Sequence, residues 1–268
     1  MIRKPAVAGA FYPSNPEELT SLIKSMVGIE QERKKALAVI SPHAGFIYSG
    51  PVAGSLFSSV QLPVKYVLLG PSHRIISSKV AIMRQGTWST PLGDIPVDTD
   101  LADLLMNSSE IFEEDEEAHR NEHSLEVQLP FIQYFVKYFS IVPICIGYQI
   151  SYEGLEELGR SVASGIKKFG KDVLIIASTD MSHYVEQSEA QKLDLTAIQK
   201  IQELNPRGLY DTVTSKNISM CGFQPTTSAL VASIELGAKT ASLVKYQTSG
   251  DVSGNFNEVV GYAGLLIE

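Results

Sequence analysis

Short runs of apolar residues alternate along the chain with longer segments in which apolar positions recur every three to four residues. Three of the short runs occupy residues 36–40, 65–69 and 172–177. They are rich in Val, Ile and Leu and end at turn residues, as strands buried on both faces of a parallel sheet do. The segments between them have the spacing of amphipathic helices. The pattern therefore predicts an α/β fold with a mostly parallel central sheet and helices on both faces.

Capping and turn residues set the boundaries of the predicted elements. Asn15 followed by Pro16 indicates a helix from residue 16 to about residue 27, because asparagine caps the first turn and proline lacks an amide hydrogen that would be unpaired there. Pro143, within a strand at residues 140–147, favours the edge of the sheet or a strand start. Other helices are predicted at residues 51–60, 99–106, 118–139, 153–169, 188–204 and 225–236, a hairpin at 79–96, and strands at 242–247 and 258–267.

Histidines follow three of the predicted strands. His43, His73 and His183 each come just after an apolar run. Because ligands of parallel sheets bind beyond the carboxyl ends of the strands, we expect these side chains to meet at one site. Asp180, three residues before His183, could orient that imidazole or could simply cap its loop.

A second polar segment lies at the start of the helix predicted for residues 118–139. Glu122, His123 and Glu126 share this segment, where a capping interaction competes with a role in the site. We predict that His123 and Glu126 support the pocket from behind the ligands. His119 is predicted to be exposed.

The two cysteines have different surroundings. Cys145 lies inside an apolar run and is most simply a small buried side chain. Cys221 stands just ahead of a predicted helix, whose positive end should favour the thiolate, the form that binds metals and attacks electrophiles. A buried structural cysteine is the alternative for Cys221.

Composition narrows the class of protein. A chain of 268 residues with 44% hydrophobic and 19% charged residues is typical of one globular domain spanning residues 1–268. Its net charge of -8 disfavours binding to nucleic acid. Apolar runs long enough to span a membrane are missing from the sequence, as is the apolar core of a signal peptide, so we expect a cytoplasmic protein.

Six motifs in order along the chain resemble the Memo family. They are Ala-Gly-Ala-Phe-Tyr-Pro at residues 8–13, Pro-His-Ala-Gly-Phe-Ile-Tyr-Ser-Gly at 42–50, Gly-Pro-Ser-His at 70–73, Glu-His-Ser-Leu-Glu at 122–126, Ser-Thr-Asp-Met-Ser-His at 178–183 and Met-Cys-Gly at 220–222. The family is similar in fold to the class III, LigB-type extradiol dioxygenases, which implies a single α/β domain.

The resemblance also implies a metal site. His43 and His73 match the two histidine ligands of the dioxygenase iron, Cys221 stands where those enzymes have a glutamate, and His183 matches their acid/base histidine. Residues that line the same pocket by this resemblance are Asp180 and His123. One transition metal ion per chain is implied, iron first, with copper or zinc as alternatives suited to a thiolate. Dioxygenase activity does not follow, because the thiolate replaces the carboxylate.

Three functions from different classes agree with these residues. The first is a metal-binding protein with redox activity on an unknown small molecule. The second is a metal-free hydrolase or transferase with Cys221 as nucleophile, His183 as its base and Asp180 as the orienting group. The third is a peptide-binding module that keeps a vestigial pocket. Aromatic side chains that would serve such a surface are Phe46, Tyr48 and Tyr184. The sequence leaves open whether the chain forms a homo-oligomer.

Overall fold

Helices and strands alternate along most of the computed structural model, which describes residues 1–28, 32–74, 79–148 and 150–268. The strands are β1 (Ile2–Arg3), β2 (Ala38–Ser41), β3 (Lys65–Pro71), β4 (Val80–Ile82), β5 (Thr87–Thr90), β6 (Gly93–Pro96), β7 (Glu113–Glu114), β8 (Ser140–Ile146), β9 (Leu174–Ser178), β10 (His183–Val185), β11 (Ala241–Thr248) and β12 (Val259–Ile267). The α-helices are α1 (Pro16–Met26), α2 (Phe46–Ser58), α3 (Thr99–Met106), α4 (Glu117–Arg120), α5 (Leu129–Phe135), α6 (Tyr152–Phe169), α7 (Gln187–Gln202), α8 (Pro206–Ser215), α9 (Phe223–Glu235) and α10 (Gly250–Ser253).

The main sheet is mixed, with a parallel centre. Its strand order is β10-β12-β2-β9-β3-β8-β4-β7, and β11 pairs with β12. Strands β2, β9, β3 and β8 are all parallel to one another. Strands β12 and β4 run antiparallel to the neighbours that they join, β2 and β8. The predicted α/β fold with a parallel sheet centre is confirmed.

Helices cover both faces of the sheet. Ala38 and Ile40 of β2 pack in a core cluster to which α3, α6, α7, α8 and α9 contribute. Val39, between them, packs in a second cluster with side chains of α1, α2 and α5. Because successive side chains of a strand point to opposite faces, the continuous apolar runs reflect burial on both sides.

The segment predicted as a hairpin contributes to two sheets. Strands β5 and β6 form the antiparallel hairpin, with β1 paired parallel to β5. Strand β4 instead joins the main sheet beside β8. The N-terminal strand is therefore connected to the hairpin, and this brings Arg3 beside Trp88.

Two local predictions about prolines were wrong. Pro143 lies in β8, an interior strand between β3 and β4. Its carbonyl oxygen accepts from the Met83 amide just beyond the end of β4. The amide hydrogen that proline lacks would therefore lie just past the last residue pair between β4 and β8, where the proline is tolerated. The long helix predicted at residues 118–139 is interrupted, since α4 ends at Arg120 and α5 begins at Leu129. Pro130 occupies the first turn of α5, the place where proline is tolerated.

No helix in the described part of the chain combines the length and the apolar character needed to cross a membrane. Helix α6, with 18 residues, is the longest of those described, and it carries several charged side chains.

Candidate metal centre

Three histidine side chains converge beyond the carboxyl end of the parallel strands. His43 follows β2 and His73 follows β3. His123 comes from the irregular loop between α4 and the 3₁₀ turn at Glu126–Gln128. One ligand nitrogen from each imidazole lies within 4.8 Å of the other two. The structure thus brings two of the three predicted strand-end histidines into one group, with His123 as the third member.

A buried hydrogen-bond network fixes the orientation of His43. Its Nδ1 lies 2.9 Å from the Ser178 hydroxyl oxygen. That hydroxyl donates its only hydrogen to the Ser124 carbonyl oxygen at 2.6 Å and accepts from the Gln128 side-chain amide at 3.0 Å. Because the hydroxyl hydrogen is already committed, Nδ1 of His43 must be the donor. The lone pair of the neutral imidazole is then on Nε2, the atom that faces the site.

Glu122 gives His73 the same tautomer. One carboxylate oxygen lies 2.9 Å from Nδ1 of His73, and the other accepts from the His73 backbone amide at 2.6 Å. Burial would raise the pKa of Glu122, but the bonds from His73 and from the Ser124 amide hold that pKa well below its usual range. An ionised carboxylate can only accept, so Nδ1 of His73 donates and Nε2 carries the lone pair. A carboxylate behind a histidine is a frequent arrangement in metal sites.

The local environment favours neutral imidazoles. Burial lowers the pKa of His43 well below its ordinary value, and nearby His73 lowers it further. Burial also lowers the pKa of His123 to about 4, against the opposing effect of Glu122. The ring of Phe11 packs against His123 with centroids 4.8 Å apart. Neutral histidine is the form that binds metal ions, so these residues are ready ligands near pH 7.

Cys221 lies beside His43 at the margin of this group. Its Sγ is 3.2 Å from Nε2 of His43 and accepts from the Asp180 backbone amide at 3.3 Å. The next residue, Gly222, approaches the end of β9 so closely that a Cβ there would lie 2.3 Å from the Ser178 carbonyl oxygen. The expected bias toward thiolate is wrong for the metal-free protein. Burial, reinforced by Asp180, raises the pKa of Cys221 far above its ordinary value and outweighs the nearby helix end.

Asp180 and His183 lie near the group but make separate contacts. The Asp180 carboxylate accepts from the His43 backbone amide at 2.7 Å, and burial raises its pKa to about 6. Nδ1 of His183 donates to the Ser219 carbonyl oxygen at 2.8 Å, which leaves the lone pair on Nε2. Ser219, rather than Asp180, therefore orients the His183 imidazole. His183 is still near enough for its charge to affect the pKa of Asp180.

The aromatic residues named from the sequence separate into buried and exposed ones. Phe46 is buried in the core, where its ring contacts Tyr12 and Phe131. Tyr48 is 38% exposed and Tyr184 is 75% exposed. Tyr184 also has a φ of 58°, which a residue with a side chain rarely adopts. Exposed aromatic surface is therefore provided by the two tyrosines.

The other polar residues named in the segment 119–126 are buried. His119 is fully buried, with Nδ1 3.2 Å from the Cys145 thiol, so the prediction that it is exposed was wrong. The short helix α4 thus places the His119 side chain against Cys145 of β8. Cys145 is buried as expected. Glu126 is also fully buried and accepts from the Tyr12 hydroxyl at 2.5 Å.

Two residues that support the site, Ser178 and Gln128, were missed from the sequence, and Glu122 was left open between a capping interaction and a role in the site. Glu122 fixes the imidazole of His73, and Ser178 and Gln128 fix that of His43. Glu122 directly precedes His123, and Ser178 closes the apolar run before Asp180, so both stood inside recognised motifs. Their partners are distant in sequence, and the sequence alone did not indicate which imidazole each would meet.

Glu122→Gln should weaken metal binding without unfolding the protein. The carboxylate accepts from the His73 ring, the His73 amide and the Ser124 amide. An amide side chain retains one acceptor oxygen and would turn a donor toward another donor. We expect zinc affinity to fall by about 10–100-fold, the usual cost of losing a carboxylate behind a histidine ligand. Competition with a chromogenic chelator measures the change, and Glu117→Gln, at an exposed side chain of α4, is the control that should retain wild-type affinity.

The sequence is similar to known proteins along its whole length. The family model described as "Memo-like protein" matches residues 3–266. A "MEMO1 family protein" of Methanosarcina mazei is 43% identical over 269 residues, covering 100% of this chain and 99% of the relative. A second MEMO1 family protein, from Methanocaldococcus jannaschii, is 41% identical over 287 residues, with 100% and 99% coverage.

A solved structure shares the fold at low sequence identity. The crystal structure of an uncharacterized protein from Escherichia coli K12 superposes with a TM-score of 0.60 at 13% identity, covering 85% of this chain and 98% of that one. That likeness concerns the fold alone. The family match over residues 3–266 and the two MEMO1 family relatives show that this chain belongs to the Memo-like family.

Proposed function

We propose that this protein binds one transition metal ion through His43, His73 and His123, with Cys221 as a fourth donor, and that the site serves redox chemistry on a small molecule. The observation that carries the proposal is the convergence of the three imidazoles within 4.8 Å. For His43 and His73, hydrogen bonds on Nδ1 leave the Nε2 lone pairs free to meet an ion.

The donor set suits a borderline or soft ion. Metal–nitrogen bonds of about 2.0–2.1 Å and metal–sulfur bonds of about 2.3 Å in a tetrahedral zinc site place the two donors roughly 3.5 Å apart. The separation of 3.2 Å between Nε2 of His43 and Sγ of Cys221 is close to that value. Because the thiol is protonated in the metal-free protein, binding through sulfur must release its proton. Iron, copper and zinc all accept such a set.

The residues around the ion would move protons and hold the ligands in place. A bound iron or copper ion would supply electron transfer and Lewis acidity. His183, with Nδ1 held by Ser219, offers Nε2 as the atom that gives or takes a proton. Asp180, with its pKa raised to about 6, holds the turn at His43 through the backbone amide. Tyr48 and Tyr184 provide exposed aromatic surface. Binding of a peptide to this surface stays a prediction.

Titration with zinc and iron(II) under anaerobic conditions tests the proposal. Wild-type protein should bind about one equivalent of either ion. Cys221→Ser should lose about 10-fold or more of its zinc affinity and less of its iron(II) affinity, because a thiolate prefers softer ions. Cys145→Ser is the matched control, since Cys145 is buried against His119 and should not affect the metal. A zinc-to-iron ratio that is the same in Cys221→Ser and wild type would show that sulfur is not a ligand.

A cysteine nucleophile is the second candidate, favoured by the same 3.2 Å contact. In this case His43, rather than His183, would be the base, since its Nε2 lone pair faces the thiol. A metal ion and the proton of the Cys221 thiol would both occupy the Nε2 lone pair of His43. One protein molecule therefore cannot perform the two functions at the same time. Wild-type protein that binds no metal in the titration would favour the nucleophile.

A further inference from the structure

A buried arginine connects the N-terminus to the loop that carries Glu122 and His123. Arg3 is 2% exposed. Its Nε donates to the His119 carbonyl oxygen at 3.0 Å, and its Nη2 donates to the Glu122 carbonyl oxygen at 2.5 Å. We infer that Arg3 is a positioning residue for the metal centre, and this inference rests on the metal-binding function proposed above.

The loop has little regular structure of its own. Residues 121–125 lie between α4 and the 3₁₀ turn and belong to neither. A guanidinium is planar and presents its donors in a rigid fork. By bonding to the carbonyl oxygens of His119 and Glu122 at once, Arg3 fixes their separation and therefore the turn between them.

That turn determines the position of two imidazoles. The Glu122 carboxylate holds both the ring and the backbone amide of His73. His123 is the next residue in the chain and supplies its own imidazole to the group. Since binding sites must be held within about 0.5 Å of the productive geometry, a shift of the Glu122 backbone would displace His73 and His123 together.

The charge of Arg3 is balanced within the same structure. Its Nη1 pairs with the Glu126 carboxylate, and both side chains are fully buried. Glu126 in turn accepts from the Ala6 amide at 2.7 Å and the Val7 amide at 3.1 Å. The guanidinium also lies 4.2 Å from the centre of the Trp88 ring. Apolar side chains could fill this space with less desolvation cost, but they could not hold the two loop carbonyls.

Arg3→Lys separates charge from geometry. Lysine keeps a positive charge for Glu126, but its ammonium group lacks the planar fork that spans both carbonyl oxygens. We expect the folded variant to bind Co²⁺ about 10–100-fold more weakly than wild type, with altered visible absorption bands of the bound ion. Leu105→Ala is the control for general destabilisation, because Leu105 is buried where α3 meets Gly165 of α6. It should lower the Tm while leaving Co²⁺ affinity within about twofold of wild type, as expected for a distant site.

The same titration separates the inference from the proposed function. Tight Co²⁺ binding by both wild type and Arg3→Lys, with identical spectra, would overturn the role of Arg3 and leave the metal site intact. Failure of the wild type to bind would overturn the metal site itself.

Hydrogen exchange provides a second measurement that does not require a variant. Coupling is reciprocal, so a metal ion that orders the loop should also slow exchange at the Ala6 and Val7 amides, which are bonded to Glu126. Wild type that binds zinc with no change in exchange at these amides would contradict the inference, even if Arg3→Lys did not fold.

Discussion

Replacing His73 by alanine should lower zinc affinity by about two to three orders of magnitude. Structural zinc binding is worth about 10–16 kcal/mol over four ligands, or roughly 3 kcal/mol for each one. His73 is partly exposed, and its ring is held by Glu122. Its removal should therefore leave the fold intact while the ion loses one donor. Calorimetric titration of the folded protein measures the loss directly.

His183→Ala is the matched control for this prediction. Its imidazole lies near the site but is bonded to Ser219 and stands outside the group of converging ligand nitrogens. Zinc affinity should stay close to that of wild type. Equal loss in both variants, or full retention of zinc by His73→Ala, would show that the ligand set is wrong.

Replacing Glu126 by alanine should destabilise the protein by about 3–5 kcal/mol, because removing one partner of a buried ion pair leaves the other charge without compensation. The side chains of Arg3 and Glu126 are both fully buried. Glu126 also accepts from the Tyr12 hydroxyl and from the backbone amides of Ala6 and Val7, and these donors would lose their partner. Urea unfolding followed by circular dichroism measures the free energy of unfolding.

An exposed ion pair supplies the comparison. Asp211 accepts from Arg207 on α8, where the two side chains are 55% and 57% exposed. Asp211→Ala should change the free energy of unfolding by no more than about 1 kcal/mol, as is usual for surface pairs. Similar losses in the two variants would mean that burial of the Arg3–Glu126 pair does not have the energetic role described here.

The parallel centre of the sheet and the meeting of His43 with His73 at one edge were predictable from local sequence. Apolar runs that end in histidine identify β2 and β3, and the topology of a parallel sheet places His43 and His73 at one edge. The Asn15 cap and Pro16 likewise define the start of α1, because both effects act within one helical turn.

The errors arose where distant contacts override local pattern. The carbonyl oxygens of His119 and Glu122 accept from Arg3, more than a hundred residues away in the sequence. The chain forms a loop there, although the apolar spacing predicted a helix. Pro143 lies inside the sheet because β4 happens to end beside it. The pKa of Cys221 is raised by burial and by Asp180, and these effects outweigh the helix end visible in the sequence.

X-ray absorption at the zinc edge of the one-to-one complex tests the metal centre most directly. Three imidazoles and the Cys221 thiolate predict nitrogen neighbours at about 2.0–2.1 Å and one sulfur at about 2.3 Å. The imidazole signal should weaken in His73→Ala, and the sulfur shell should disappear in Cys221→Ser. A shell made only of oxygen atoms, as in the hydrated ion, would contradict the site formed by His43, His73 and His123.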